Sequence, residues 1–304
     1  MKVFCPLCNS RTEIKNRKDT YIYYFCKFCK VLFLSPFLKN KEISAYYKNS
    51  FNYTAGFLNE KIIRTQAKHI INKLLHMNPL GKTVLDIGSG YGFFLDEAKK
   101  IGLQIYAIEP SRRLISNSNY KQIMHTFCMT FEQYQKKSKR KKYDFITLIH
   151  VVEHLKNPKQ TVQSAAKLLN PGGVLYIETP NLDSHLYRVE NDNYTFLTPP
   201  DHLWIFSRYC LIRFLIKKNY LIKVSTYSYP EHFMGILKAV TGHIQPRRLK
   251  MDCQINPPMA KKQCYFNISH IKYLLFDKCI AKLLYRLLNI NYFGSILELY
   301  IKKK

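Results

Sequence analysis

The sequence predicts an α/β fold, a mostly parallel sheet flanked by helices, with a small cysteine-rich module in front of it. From Thr83 to about residue 229, short apolar runs alternate with helical patterns, which is typical of βαβ units. A glycine-rich turn, Gly88–Gly92, joins the first of these apolar runs to a helical stretch. Ahead of this region, two Cys-x-x-Cys pairs lie within the first 29 residues.

Size and charge limit the possible classes of protein. A chain of 304 residues, 47% of them hydrophobic, can bury a substantial core, which excludes global disorder. The formal net charge of +28 indicates an anionic partner such as nucleic acid, an acidic glycan or a membrane surface. The alternative is a compositional bias, because Lys, Asn, Ile and Tyr are abundant throughout, as AT-rich codons would produce. Both explanations stay open.

The sequence favours a cytoplasmic protein. The stretch Met1–Cys5 has no apolar signal-peptide core, and no uncharged run approaches the ~20 residues that span a bilayer. Nine cysteines, four of them clustered, fit metal binding in a reducing compartment better than a disulfide framework.

Changes in composition divide the chain into three parts. Residues 1–37 are rich in cysteine and aromatic residues and are predicted to form a metal-binding module. Residues 38–80 show near-helical apolar spacing, which indicates a helical linker or lid. Residues 81–304 form the main domain, in which the helical and basic segment 230–290 precedes a strand-like run at Ser295–Ile301.

The clustered cysteines predict a structural zinc site. Cys5 and Cys8 form one pair, Cys26 and Cys29 the other, with seventeen residues between the pairs. Each turn can present two thiolates to one ion, so two turns complete a tetrahedral four-cysteine site whose shell is closed. Metal binding would supply folding free energy to a segment too small to bury much. The alternative is four unligated, buried cysteines.

The turn after the first predicted strand favours a cationic ligand over a dinucleotide. Gly88, Gly90 and Gly92 are its first, third and fifth residues, whereas a dinucleotide fingerprint has glycines first, third and sixth. These glycines let the backbone approach a ligand and place helix N–H groups beside it. Asp86, two residues earlier, would repel a pyrophosphate but attract the aminoacyl end of S-adenosylmethionine (SAM).

Polar residues also follow the other predicted strands. The next predicted strand is Gln104–Ile108, and Glu109 follows it directly. At this position, about twenty residues beyond the turn, a carboxylate can accept both ribose hydroxyls of an adenosine. The strand Tyr143–Ile149 leads into His150–His154, and a tight turn at Asn170–Gly173 precedes the strand Val174–Glu178. Ligands of open α/β sheets bind at these carboxyl ends.

Together these motifs resemble the class I SAM-dependent methyltransferase family. The resemblance covers roughly residues 60–229 and resumes at Asn291–Lys303, which is similar to the family's antiparallel closing strand. It is strongest to the branch with an E-H-L-x-x-P motif, here Glu153–Pro158, which includes methyltransferases of quinones and of bacterial sugars and surface glycans. The N-terminal cysteine pairs add a resemblance to zinc-containing sugar C-methyltransferases. The implied fold is a Rossmann-like, seven-stranded sheet with a helical insertion, 230–290, before the last strand.

The resemblance implies SAM as the cofactor and a set of residues that bind it. Asp86 and the three turn glycines match the segment that holds its methionine part, and Glu109 matches the acid that binds its ribose. Thr130 falls where the family contacts adenine. Some quinone-methylating relatives hold a divalent cation at the E-x-x-E-H motif, where this chain has His150 in place of the first acid; a second metal near Glu153 is therefore an open alternative.

Methyl transfer to a hydroxyl or carbon also needs a base, and His202 is the first candidate. It lies between the pair Pro199-Pro200 and a predicted amphipathic helix, which would hold it rigidly. In the sugar C-methyltransferases that the chain resembles, a histidine in a similar segment is the base. The structural alternative is a hydrogen bond from His202 to a loop carbonyl. His154 and His150 are the other candidates, with loop orientation as the competing role.

Three functional classes follow. The predicted function is methylation of a small-molecule, sugar or glycan acceptor, lipid-linked acceptors included. The alternatives are an RNA methyltransferase that uses the zinc module and basic surface, and a non-catalytic binding module. No RNA-binding motif is present, which disfavours nucleic acid. A basic stripe beside an apolar face at 272–289 suits a peripheral membrane contact, with a cap helix packed on the domain as the alternative.

Overall fold

Two sheets organise residues 2–37, 60–117, 125–137, 141–216, 220–228, 292 and 294–304, which the computed structural model describes. One sheet has seven strands and the other has four. In chain order the elements are β1 (Glu13–Lys18), β2 (Tyr21–Cys26), β3 (Val31–Leu34), α1 (Glu60–Met77), β4 (Thr83–Ile87), α2 (Phe93–Lys100), β5 (Gln104–Ile108), α3 (Arg112–Asn117), β6 (Thr126–Phe127), α4 (Phe131–Lys137), β7 (Tyr143–Ile149), α5 (Pro158–Lys167), β8 (Leu169–Pro180), α6 (His185–Glu190), β9 (Trp204–Phe206), α7 (Arg208–Cys210), β10 (Tyr220–Tyr227) and β11 (Ile296–Lys303).

The large sheet has the strand order β10-β11-β8-β7-β4-β5-β6. Five strands, β4 to β8, run parallel, and β11 lies antiparallel between β8 and β10. This topology confirms the expected seven-stranded sheet and its antiparallel closing strand. Because β4, β5, β7 and β8 end at the same edge, the residues that follow them converge there.

Burial on both faces explains why the central strands read as apolar runs. Val84 and Leu85 of β4 are fully buried, as are Phe145 and Ile146 of β7. Helix α1 covers one face through an apolar stripe that includes Ile70, Ile71 and Leu74, all buried. Helix α1 lies within the predicted helical segment 38–80.

Two predicted segments lie outside the described residues. They are 38–59, the first part of the expected lid, and 230–290, the expected helical insertion with its stripe at 272–289. Within the described ranges, no helix combines the length and the apolar character needed to cross a membrane.

The predicted turn at Asn170–Gly173 is instead part of β8. The pairing with β7 shifts from Tyr143 opposite Leu169 to Phe145 opposite Val174, so β8 accommodates the extra residues as an irregularity within the strand. Gly172 has a φ of 72°, and a Cβ on Gly173 would lie 2.9 Å from a backbone oxygen. The glycines therefore bend a continuous strand rather than end it.

The helix expected directly after His202 is instead the strand β9, and α7 begins only at Arg208. Strand β9 pairs antiparallel with β3, which completes the N-terminal sheet in the order β1-β2-β3-β9. All three residues of β9 and all four of β3 are buried, so their backbone groups need each other as hydrogen-bond partners. The cysteine-rich module is thus joined to the main domain by a shared sheet.

Candidate active site

The turn between β4 and α2 has the shape of a ligand cradle. Gly88, Gly90 and Gly92 all have left-handed φ values, 76°, 53° and 78°, which favour glycine. A Cβ on Gly88 would lie 2.6 Å from a methyl group of Val151, whereas one on Gly90 would meet no described atom within 4 Å. Gly88 thus permits close packing of the turn, and the space beside Gly90 is open to a ligand.

Two buried acids flank this turn. Asp86 accepts a hydrogen bond of 2.6 Å from the Thr147 hydroxyl, across the neighbouring strand. Burial, together with the charge of Glu109, raises the pKa of Asp86 to about 7 against the opposing effect of the Thr147 hydrogen bond. Glu109 accepts N–H groups from Gly90 (2.9 Å) and Ser111 (2.8 Å), while burial raises its pKa.

A cation bound between these acids would relieve both their desolvation and their mutual repulsion. An anionic pyrophosphate would increase the repulsion. The glycine turn, the open space and the paired acids therefore fit the cationic nucleoside SAM.

Thr130 lies at the start of α4, on the same edge of the sheet. Its hydroxyl accepts the N–H of Gln133 at 3.3 Å, and its own N–H donates to the side chain of Gln133 at 2.9 Å. This reciprocal pair is a helix cap, and Thr130 is exposed. The adenine contact of Thr130 stays a prediction.

His202 is held as a neutral imidazole. Its Nδ1 lies 2.7 Å from the carbonyl oxygen of Phe196. A carbonyl only accepts, so Nδ1 carries the proton and Nε2 keeps its lone pair. Burial, followed by the charge of His154, lowers the pKa of His202 to about 4. The hydrogen bond to a loop carbonyl, expected as the structural alternative, is therefore present. The role of His202 as a base stays a prediction.

His154 is held in the protonated, positively charged form. Its Nδ1 lies 2.9 Å from the carbonyl oxygen and 3.2 Å from a carboxylate oxygen of Asp201. Burial opposes protonation, but the hydrogen bond and charge of Asp201 outweigh it and raise the pKa of His154 to about 9. At neutral pH His154 is therefore a cation with no free lone pair.

His150 lies between two buried carboxylates at the tip of β7. Its Nδ1 is 3.1 Å from Glu153, and its Nε2 is 3.1 Å from Glu178. Burial is outweighed by these two partners, which raise the pKa of His150 to about 10. His150 also has a φ of 52°, a strained value for a non-glycine residue.

Sequence reasoning missed a buried polar network behind His150. Glu178 and Glu298 face each other across β8 and β11, and both are fully buried. The Tyr176 hydroxyl lies 2.5 Å from Glu178 and 3.0 Å from Glu298, and Lys73 of α1 lies 3.1 Å from Glu298. The sequence signal for this network was a glutamate beside apolar residues in each of the two strands.

Glu153, His154 and His202 each bring one potential ligand atom within 4.8 Å of the others, which is close enough for a metal ion. Their hydrogen bonds support a different use. The carboxylate of Glu153 already accepts from Thr179 at 3.0 Å and contacts His150, and His154 is protonated beside Asp201. Each of the three side chains is thus already engaged by a hydrogen-bond partner outside the trio.

The four N-terminal cysteines come together as predicted. Their sulfur atoms all lie within 4.8 Å of one another, with Cys5 and Cys29 3.8 Å apart and Cys8 and Cys26 3.6 Å apart. A tetrahedral zinc ion with Zn–S bonds of about 2.3 Å requires sulfur separations of about 3.8 Å. The backbone N–H of Cys29 also points to the Cys26 sulfur, at 3.3 Å. The donor set and its spacing thus fit a closed zinc site.

Solved methyltransferase structures share the fold. A SAM-dependent methyltransferase from Archaeoglobus fulgidus is 18% identical and has a TM-score of 0.54, with 84% of this chain and all of that one covered. A protein from Thermotoga maritima described as a possible histamine N-methyltransferase is also 18% identical, with a TM-score of 0.50 and coverage of 85% and 98%. At this identity the likeness concerns the fold alone.

Curated relatives share the core of the chain. A ubiquinone biosynthesis O-methyltransferase from Coxiella burnetii is 29% identical over 123 residues, 38% of this chain and 52% of that protein. One from Burkholderia vietnamiensis is 26% identical over 206 residues, 66% of this chain and 79% of its own length. The chain thus spans about half the length of the first of these relatives.

A family described as a methyltransferase domain matches residues 59–220, which is more than half of the chain. The matched range contains the glycine turn, both acids flanking it and all three histidines of the cluster. The chain therefore belongs to the methyltransferase-domain family, with the class I SAM-dependent fold.

Proposed function

We propose that this protein transfers a methyl group from SAM to a hydroxyl of a small-molecule, sugar or glycan acceptor, with His202 as the general base. The observation that carries the proposal is the contact of 2.7 Å between Nδ1 of His202 and the carbonyl oxygen of Phe196. This contact commits the Nδ1–H of a neutral ring, whose pKa is lowered, in a site where the pKa values of His150 and His154 are raised. A hydroxyl acceptor needs such a base, whereas an amine needs only its own lone pair.

The cofactor-binding residues in this proposal are Asp86, Gly88, Gly90, Gly92 and Glu109. SAM supplies a methyl group on a positively charged sulfur, which an incoming oxygen can attack directly. Asp86 attracts the cationic end, and Glu109 accepts hydrogen bonds from the ribose. The turn glycines allow the backbone to approach, with Thr130 at the edge of the adenine side.

The residues around the acceptor have separate tasks. In this proposal Nε2 of His202 takes the hydroxyl proton while the acceptor oxygen bonds to the methyl carbon. The bond from that carbon to the sulfonium sulfur would break, and S-adenosylhomocysteine would leave. Glu153 is near enough to balance the positive charge that then appears on His202, since the two side chains are within 4.8 Å. In-line transfer otherwise needs closeness and alignment, and in this proposal the loop before β9 would supply them.

The acceptor class rests on two supports. The ubiquinone relatives are named O-methyltransferases of a small molecule, which fits a site equipped with a base. Neither of the ubiquinone relatives named above is described as acting on RNA, and the alternative RNA methyltransferase would use the zinc module and basic surface for binding. The peripheral membrane contact at 272–289 concerns residues outside the described part of the chain.

We further propose that Cys5, Cys8, Cys26 and Cys29 bind one structural Zn²⁺. A thiolate-rich site of this kind fits a reducing compartment such as the cytoplasm, where cysteines stay free for metal. The zinc would stabilise the N-terminal sheet rather than act on the acceptor, since four protein ligands leave no open coordination position.

The test uses methyl-labelled SAM and three acceptor pools: small phenols, sugar nucleotides with lipid-linked sugars, and total RNA. We expect label in one of the first two pools and release of S-adenosylhomocysteine. His202→Ala should lower kcat by about 10²- to 10⁴-fold with unchanged SAM affinity. His76→Ala, an exposed histidine at the end of α1, is the matched control. Label found only in RNA, or near-normal turnover of His202→Ala, would overturn the proposal.

A further inference from the structure

The N-terminal sheet forms hydrogen bonds with the backbone of His202, the candidate base, and of the residue after it. The hydroxyl of Tyr23, in the middle of β2, donates a hydrogen bond of 2.8 Å to the carbonyl oxygen of His202. The N–H of Leu34 donates to the carbonyl of Leu203 at 2.9 Å, immediately before β9 pairs with β3. Tyr23 is fully buried, so this bond is shielded from water.

The same sheet also holds the segment that leads to His202. Asn16 of β1 is almost fully buried and donates to Asp192 at 2.7 Å. Its side-chain oxygen accepts from the Tyr187 hydroxyl at 3.1 Å. The N-terminal sheet therefore contacts the loop on both sides of Phe196, the residue that fixes the tautomer of His202.

Aromatic packing makes the connection rigid. The ring of Phe33 lies against Trp204, with centroids 5.7 Å apart, and Trp204 donates its indole N–H to Leu155 at 2.7 Å. Leu155 directly follows His154. The residues next to His154 and His202 thus pack directly against the N-terminal sheet.

We propose that Tyr23 is a positioning residue of the active site, through which the N-terminal module sets the place of His202. The proposal rests on the assignment of His202 as the base. It gives the module a task that the closed cysteine cluster alone does not explain: to hold the loop from Phe196 to Leu203 over the methyl-transfer site.

The test compares Tyr23→Phe with Tyr24→Phe in the full-length, zinc-loaded protein. Neighbouring residues of a strand point to opposite faces, so Tyr24, which is half-buried, controls for loss of a hydroxyl on the other face of the same strand. For Tyr23→Phe we expect kcat to fall by about 10- to 100-fold while the Kd of SAM and the zinc content stay unchanged. The ¹⁵N NMR signals of the His202 ring should also shift or broaden. Tyr24→Phe should change neither.

A second variant keeps the proposal testable if Tyr23→Phe does not fold. Phe33→Leu weakens the contact with Trp204 without altering the methyltransferase domain, and it should lower kcat in the same direction. Normal kcat and unchanged His202 signals in both variants would overturn the positioning role. Normal turnover of His202→Ala would instead remove the base assignment, so the two failures are distinguishable.

Discussion

The imidazole rings of His154 and His202 meet edge to face, with their centroids 4.8 Å apart. Their surroundings give them different protonation states, because His154 is a cation and His202 is neutral. Asp201 helps to raise the pKa of His154 to about 9, while burial and the neighbouring charge of His154 lower that of His202 to about 4. A cation beside a neutral ring keeps that ring deprotonated, which is the state a general base requires.

The pH profile of turnover should reflect this depressed pKa. With saturating SAM and acceptor, kcat should stay level as pH falls from neutrality and should decline only near pH 4, where His202 takes up its proton. The measurement is kcat against pH, with circular dichroism at each point to exclude unfolding. An acid limb centred near 6.5, the ordinary histidine pKa, would contradict the assigned environment.

Stability should decrease from neutral to alkaline pH. The folded-state pKa values of His150 and His154, about 10 and about 9, exceed the unfolded value near 6.5. Their contribution is therefore complete below pH 6.5 and is lost as pH rises through 9 to 10. Each histidine contributes a slope of at most about 1.4 kcal/mol per pH unit.

Urea unfolding at about pH 6, 8 and 10 measures this slope. His150→Gln should flatten it, because the variant has no proton to lose between its two carboxylates. A free energy of unfolding that is constant or rises over this range would contradict the ion pairs of His150 and His154. Glu153 contributes stability with the opposite pH dependence. Its pKa is lowered to about 2, so its contribution is present above pH 4.5 and is lost as pH falls from 4.5 through 2.

An alanine at Gly90 should weaken SAM binding without unfolding the protein. The added Cβ would enter the open space of the turn, where the cofactor is proposed to lie. Gly102→Ala is the matched control, because Gly102 also has a positive φ and open surroundings but lies in the turn after α2. Both variants should lose about 1–2 kcal/mol of stability from backbone strain. Only Gly90→Ala should raise the Kd of SAM, by at least about tenfold. Equal Kd values in the two variants would contradict the proposed position of SAM beside Gly90.

The cysteine cluster should contain one zinc ion per chain. Elemental analysis should find this ratio in the wild type and in Cys128→Ser, since Cys128 is an exposed thiol outside the cluster. Cys26→Ser should lose the metal and lower Tm by more than about 5 °C, because metal binding contributes to folding. A metal-free wild type with unchanged Tm would contradict the zinc site and leave four unligated thiols.

The central sheet could be predicted from sequence because its strands are buried on both faces. Strands β5 and β7 have the predicted bounds, Gln104–Ile108 and Tyr143–Ile149, since polar residues follow each apolar run directly. The same local signal located Asp86 and Glu109. Their meeting beside the glycine turn follows from the common edge of parallel strands.

The surroundings of the histidines could not be predicted, because they depend on contacts between distant parts of the chain. Glu178 is held opposite Glu298 by a register that joins strands over a hundred residues apart. Strand β9 has only three residues, too few for periodicity to separate a strand from the start of a helix. Its pairing with β3 decided the outcome.

Calorimetry of SAM binding in two buffers of different ionisation enthalpy tests the central claim most directly. Near pH 7 the Asp86 carboxyl, with a pKa of about 7, is partly protonated in the free protein. A bound cation would favour the carboxylate, so we predict heat of binding together with release of a fraction of a proton. Asp86→Asn should abolish the proton release and weaken binding. Glu109→Gln should weaken binding and reduce the proton release, because the charge of Glu109 helps to raise the pKa of Asp86. Folded, zinc-loaded protein that gives no heat with SAM, or whose binding neither substitution alters, would contradict the account.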